Sequence, residues 1–180
     1  MNKAVFLDRD GVINVEIDYV YKIEEFEFIE NTFEALKFIQ EKGYQIVIVT
    51  NQSGIARGYY TEEQFQTLTD WMLEKFREQG INVAALYYCP HHPEKGIGKY
   101  KIDCECRKPK PGMILRAQKD LDIDLEQSYI IGDKISDVQS GLAAGIKNGV
   151  LVKSGHKLPE NVDDSIKIYD NLYDCVTKLL

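Results

Sequence analysis

The sequence predicts an α/β protein built on a parallel β-sheet with helices on both faces. Two observations carry that prediction. Short, uniformly apolar runs alternate with longer amphipathic ones along all 180 residues, the rhythm of parallel strands joined by crossover helices. The apolar runs are rich in Val and Ile and lack polar alternation, as strands buried on both faces must.

The elements follow in order. AVFL (4–7) is a strand stopped by Asp8. A helix runs from about Asn31 to Lys42, with Phe33, Leu36 and Ile39 on one face and Gly43 as its stop signal. QIVIVT (45–50) is the second strand. The next helix spans about Glu62 to Gln79, with Thr61 as N-cap, Gln64 completing a capping box, and Phe65, Leu68, Met72 and Phe76 as its apolar stripe. AALYY (84–88) is the third strand, and Pro111 opens a helix at a first-turn position. YIIG (129–132) and VLV (150–152) are two further strands, separated by a short helix from about Asp137 to Ala144 that Gly145 ends. The tail NLYDCVTKLL closes the domain as a helix carrying Leu172, Val176 and Leu179. With no repeat, low-complexity tract or linker, residues 1–180 read as one Rossmann-like domain. Two connections, 12–30 and 89–110, are longer than ordinary ones, and such loops are usually functional.

The composition, 44% hydrophobic and 28% charged, is that of a soluble globular protein. A net charge of −7 and no basic face argue against a nucleic-acid partner. A small anionic substrate is compatible, because local positive charge can sit inside an acidic protein. The N-terminus MNKAVFLDRDG lacks the apolar core and cleavage site of a signal peptide. The longest apolar runs, such as IVIV (46–49), are too short to cross a bilayer. A cytoplasmic protein with no membrane partner is expected.

Ligands of open α/β sheets bind at the carboxyl ends of the strands, and three of those ends are polar here. The first strand ends in Asp8-Arg9-Asp10-Gly11, the second in Thr50-Asn51-Gln52-Ser53-Gly54, and the fourth in Gly132-Asp133-Lys134 with Asp137 just beyond. Asp8 and Asp133 can supply carboxylates to Mg²⁺, which prefers a few such groups together with phosphate and water. Asp8 can then act as an aspartyl nucleophile on phosphorus. Asp10, two residues on, can protonate the leaving alkoxide and later activate water. Thr50 and a nearby cation can bind phosphoryl oxygens as charge moves.

The segments FLDRDGVIN, VIVTNQSGIARG, RKPKPGM and IIGDKISD resemble, in order, the four motifs of the haloacid dehalogenase-like phosphatases. The resemblance extends from Asp8 to about Gly145. It implies Asp8 as nucleophile, Asp10 as general acid and base, and Thr50 and Lys108 as phosphoryl stabilisers. It also implies magnesium held by Asp8, the backbone carbonyl of Asp10, and Asp133. No large cap domain fits between the motifs, so cover must come from 12–30, the 89–110 loop or a partner subunit. The family resemblance implies a monomer.

The 89–110 loop reads Cys89-Pro-His91-His92-Pro and then Cys104-Glu-Cys106-Arg107-Lys108. In a reducing compartment this points to metal. Cys89, His91, Cys104 and Cys106 form a Cys₃His set for a structural zinc, with His92 as the competing ligand. A closed set leaves no open position for substrate, so the zinc would staple the loop and hold Arg107 and Lys108 toward the aspartates. Cys175, far away on the last helix, reads as a small core residue.

This loop, together with FEFIE, TNQSGIARG and YYCPHHP, resembles a zinc-loop branch of the family that acts on phosphorylated sugars. That likeness implies substrate contacts from Glu16, Ile17, Asp18 and Tyr19, from Thr50, Asn51, Gln52 and Ser53, and from Arg107, Lys108 and Lys134. The branch usually carries aspartate at position 16, and positions 17 and 18 differ from its common residues. The planar fork of Arg107 suits a phosphate that is not being cleaved. A related branch acting on histidinol phosphate has a similar loop. An inactive, zinc-stabilised binding module is the alternative from another class, and the intact Asp8 and Asp10 argue against it.

Overall fold

A computed structural model describes residues 1–180. Six parallel strands form one sheet in the order β3-β2-β1-β4-β5-β6. They are β1 (Ala4–Leu7), β2 (Gln45–Asn51), β3 (Val83–Cys89), β4 (Tyr129–Gly132), β5 (Asn148–Val152) and β6 (Lys167–Tyr169). The helices are α1 (Thr32–Glu41), α2 (Ser53–Ala56), α3 (Glu62–Glu78), α4 (Gly112–Leu121), α5 (Ile135–Ala144) and α6 (Leu172–Leu179). No helix is long and apolar enough to cross a membrane.

Strand residues alternate between two cores, as the two-residue period of a pleated sheet requires. Val5, Leu7, Ile46, Ile48 and Ile131 pack with α1, α3 and α6, while Ala4, Phe6, Val47, Val49 and Ile130 pack with Met113, Ile114 and Ala117 of α4. Both faces are therefore covered, which explains the uniformly apolar strands. Thr61 and Gln64 close the expected capping box on α3, and Phe65, Leu68, Met72 and Phe76 are its buried stripe.

Three features depart from expectation. Pro111 stands one residue before α4, as its cap, rather than in the first turn. Ser53–Ala56 is a single helical turn after β2. Lys167-Ile168-Tyr169 adds a sixth strand, whose exposed edge position leaves no apolar run to read.

The connection 12–30 folds back on itself. Val15 N–H donates to Glu27 O at 2.8 Å and Ile29 N–H to Ile13 O at 2.9 Å. Val12, Ile13, Val20 and Phe26 anchor it in the core. Its tip carries Asp18 and Tyr19 at φ 63 and 55, a left-handed conformation uncommon outside glycine. There is no large cap domain; this excursion and the 89–110 loop flank the carboxyl edge of the sheet.

Candidate active site

The chain crosses to β2 and β3 on one side of β1 and to β4, β5 and β6 on the other. The crevice at such a reversal is where open α/β sheets place ligands. Here the ends of β1, β2 and β4 deliver Asp8, Thr50 and Asp133 to one buried spot. Side-chain oxygens of Asp8, Asp133 and Asp137 all lie within 4.8 Å of one another.

Lys108 is the one lysine among these carboxylates. Its Nζ donates to Asp137 Oδ1 at 2.6 Å and to Val49 O at 2.8 Å, and lies 3.2 Å from Asp8 Oδ1. Burial works against its charge, but Asp137 and Asp8 more than offset that and hold its pKa above the usual lysine value. Asn51 fixes the lysine's backbone reciprocally, accepting from Lys108 N–H at 3.0 Å and donating to Lys108 O at 3.2 Å. Asp8 accepts from Arg9 N–H at 2.8 Å. Burial first, then Asp137, push the Asp8 carboxyl up to about 6, with Lys108 opposing.

Asp133 is buried beneath Gly11 and Gly155, where a Cβ at either position would collide with its carboxylate. Gly11 also has φ 84, which glycine adopts freely. Asp133 Oδ2 lies 2.9 Å from His156 N–H and 2.6 Å from His156 Nδ1, while Oδ1 has no partner. Burial raises its pKa, Asp8 adds to that, and His156 opposes. Three buried carboxylates faced by one lysine and one imidazole, with an orphaned carboxylate oxygen, form a donor set that suits a hard dication.

Asp10 is held on both oxygens. Oδ1 receives Arg9 and Asn14, and Oδ2 receives Gln52 Nε2 at 3.1 Å. Gln52 Nε2 also donates to Thr50 Oγ1 at 2.9 Å, and its Oε1 accepts from Tyr60 OH. Glu16, Asp18, Tyr19, Ser53, Lys134 and His156 complete much of the wall of the cavity above Asp8 and Asp10. Burial raises the Glu16 carboxyl, and Asp10 adds to the effect.

At the far side of the 89–110 loop, four ligand atoms converge. Cys89 Sγ lies 3.4 Å from Cys104 Sγ and 3.0 Å from Cys106 Sγ, and Cys104 lies 3.2 Å from Cys106. His91 Nδ1 is 3.8 and 3.7 Å from Cys89 and Cys106. These sulfurs are well beyond the disulfide distance of about 2.05 Å, and all are free thiols. They enclose a tetrahedral space sized for a metal with bonds near 2.3 Å to sulfur. Hydrogen bonding with Cys89 is the main cause that draws the Cys106 thiol down to about 5. His92 stands apart, its Nδ1 taken by Glu94 N–H and Lys95 N–H at 3.1 and 3.0 Å, so His91 is the histidine of the cluster.

A family model described as HAD-hydrolase-like matches residues 105–177. A D-glycero-beta-D-manno-heptose-1,7-bisphosphate 7-phosphatase of Pasteurella multocida is 52% identical over 161 residues, 89% of this chain and 87% of that protein. The D-glycero-alpha-D-manno-heptose-1,7-bisphosphate 7-phosphatase of Photorhabdus laumondii is 46% identical over 99% of this chain and 96% of its own length. The chain belongs to the haloacid dehalogenase-like phosphatases. The crystal structure of the D,D-heptose 1,7-bisphosphate phosphatase of B. bronchiseptica, complexed with magnesium and phosphate, superposes with a TM-score of 0.84 at 30% identity, covering 98% of this chain and 97% of that one.

Within this haloacid dehalogenase-like site, most residues expected from sequence meet at one cavity. Thr50 and Asp133 lie just beneath its wall, fully buried. Ile17 does not line it and is 52% exposed. Arg107 is half-buried beside Lys108, with Nη1 donating to His91 O at 3.3 Å, and does not line the cavity. Sequence reasoning missed Tyr60, Ser136 and His156 as wall residues. It named Asp137 without assigning it the lysine it holds. His156 lies four residues beyond β5, and the strand-end rule applied to that strand would have pointed toward it. Tyr60 carries no such signal; it reaches the site only because it follows the α2 turn.

Proposed function

We propose that the chain hydrolyses the C7 phosphate of D-glycero-D-manno-heptose 1,7-bisphosphate through an aspartyl-phosphate on Asp8, in the formation of nucleotide-activated heptose. One observation carries the reading: a buried aspartate at a strand end, paired with a lysine that Asp137 also holds, faces the same cavity as a second, tethered aspartate two residues on. The heptose enzymes among its relatives supply the substrate.

Asp8, Asp133 and the backbone carbonyl of Asp10 would hold Mg²⁺. When bound, it neutralises charge on the phosphoryl group and on Asp8. Asp8 attacks phosphorus, and the bond between phosphorus and the C7 oxygen breaks. Asp10 gives its proton to the departing alkoxide. Asp10 then takes a proton from water as that water attacks the phosphoryl group, which leaves as inorganic phosphate and frees Asp8. Thr50 and Lys108 hold phosphoryl oxygens through the transition state, and Asp137 keeps Lys108 aimed.

Glu16, Asp18, Tyr19, Asn51, Gln52 and Ser53 contact the sugar and its reacting phosphate, with Ile17 shaping the loop tip. Arg107, engaged within the chain only through Nη1, and Lys134 take the phosphate that stays. Cys89, His91, Cys104 and Cys106 hold a structural Zn²⁺. Residues 1–180 act as one catalytic domain with the zinc loop at 89–110, as a monomer in the cytoplasm, without a nucleic-acid or membrane partner.

The test is phosphate release with added Mg²⁺ from the heptose bisphosphate and from histidinol phosphate. The expected kcat/KM favours the bisphosphate by at least about tenfold, the value of one charge-assisted contact. Equal or better turnover of histidinol phosphate would overturn the substrate assignment.

A further inference from the structure

Arg9 is among the largest fully buried side chains in the molecule, at 1% exposure. It cannot touch a substrate from there. Its Nε and Nη2 both donate to Asp10 Oδ1, at 3.2 and 2.8 Å, and Nη2 also donates to Val20 O at 2.8 Å. Asn14 Nδ2 donates to the same Oδ1 at 3.0 Å. Arg9 Nη1 has no partner, and the guanidinium lies 5.8 Å from the ring centres of both Phe26 and Phe65.

The two oxygens of Asp10 are thus unequal. A carboxylate oxygen offers about two lone pairs. Oδ1 receives three donors and has no room left for a proton. Oδ2 receives only the Gln52 amide, which leaves one lone pair for exchange at the cavity. As a stabilising device the arrangement is poor. Buried ion pairs rarely outperform apolar packing, and this one strands an N–H between aromatic rings. Its value lies in what it does to Asp10.

We propose that Arg9 is a positioning residue that fixes Asp10 Oδ2 as the oxygen that exchanges a proton with the leaving group. The inference rests on the acid–base role of Asp10 given above. As the bond from Asp8 to phosphorus forms and the bond from phosphorus to the C7 oxygen breaks, the broken bond's electron pair stays on that oxygen. The proton passes to it from Oδ2. Without the guanidinium the carboxyl group rotates, and its proton spends part of its time facing Asn14 instead of the leaving group. The Val20 contact gives Arg9 a second effect: it ties the acid to the 12–30 excursion whose tip walls the cavity.

The test uses two substrates that differ in their need for a proton. The heptose bisphosphate departs as an alkoxide and needs one; acetyl phosphate departs as a carboxylate and needs none. Arg9→Met keeps the length of the side chain and its place between the two rings. Its kcat/KM should fall about ten- to a hundredfold on the bisphosphate and stay within about threefold of wild type on acetyl phosphate. Arg9→Lys should restore part of the lost rate. Equal loss on both substrates would assign Arg9 a merely structural role and overturn the proposal.

Asp10→Asn, run beside it, separates the two ideas. A selective loss in Asp10→Asn with none in Arg9→Met defeats the role of Arg9 alone. Equal loss on both substrates in Asp10→Asn defeats the acid–base reading, and the proposal with it. If Arg9→Met does not fold, Asn14→Ala removes another donor from the same oxygen and is judged by the same ratio of rates.

Discussion

Replacing Asp8 with asparagine should make the protein inactive and more stable at once. Asp8 sits among carboxylates, with burial as the main cost and Asp137 and Asp10 adding to it against Lys108. Together they lift its carboxyl from the ordinary 3.8 to about 6. A rise of that size costs the charged form roughly 3 kcal/mol. In the unfolded chain Asp8 titrates at its ordinary value, so below 3.8 both states are protonated and there is no cost. As pH rises, the unfolded state ionises first, and the cost to the folded state grows until it is complete above about 6. Asparagine keeps the shape, still accepts from Lys108, and carries no charge. Urea unfolding in magnesium-free buffer should therefore give similar stabilities near pH 4 and a gain for Asp8→Asn of up to roughly 3 kcal/mol near pH 8, on the order of 5–10 °C in Tm for a chain of this size. Added Mg²⁺ should stabilise the wild type more than the variant, since the variant has lost an anionic ligand. A variant no more stable than wild type at any pH would refute the account of a charge-crowded site. Near-wild-type turnover would refute Asp8 as nucleophile.

The remaining expectations concern the neighbouring loop. Lys108→Ala should lower kcat about a hundredfold or more on any phosphorylated substrate, because its contact strengthens in the transition state; unchanged kcat would remove it from the chemistry. Arg107→Ala should cost about ten- to a hundredfold in kcat/KM on the bisphosphate and much less on a monophosphate analogue. Equal losses on the two would show that Arg107 does not select the second phosphate. Elemental analysis after dialysis against a weak chelator should find one zinc per chain, while activity still requires added Mg²⁺. Zinc-free protein with full activity and normal thermal stability would contradict a structural zinc.

Much of this fold was legible because its strands are buried on both faces. Such strands must be apolar throughout, so their ends stand out wherever polar residues begin, and Asp8, Thr50 and Asp133 mark three of those ends. The same logic hid β6. An edge strand of Lys-Ile-Tyr buries too little to leave a pattern. The site was legible as residue types but not as pairings. Gln52 was expected at the substrate and does line the cavity, but the pairing of its amide with Asp10, Thr50 and Tyr60 left no trace in the sequence. His91 and His92 are equivalent on paper, and only the local turn, which uses His92 Nδ1 to cap two backbone N–H groups, separates them. His156 enters through the close approach of Gly155 to Asp133, a tertiary contact between residues far apart in the chain.

The Cys₃His cluster and the buried aspartates are joined by very little chain, which explains why the cluster stands so near the cavity. Cys106 is a member of the cluster, Arg107 follows it, and Lys108 is next. Lys108 then meets β2 twice, through the reciprocal Asn51 amide contacts and through Nζ on Val49 O. Its ammonium group is left between Asp8 and Asp137 with three close oxygen partners for three N–H donors. A loop with few apolar residues of its own could not hold a buried lysine there by packing alone. The tether of Tyr88 and Tyr100 to Glu62, both at 2.7 Å, fixes the outer side of the loop to α3. The four-ligand cluster fixes the inner side. Between these anchors the loop supplies a desolvated cation at the end of β1, where it favours the ionised form of the buried Asp8 carboxyl.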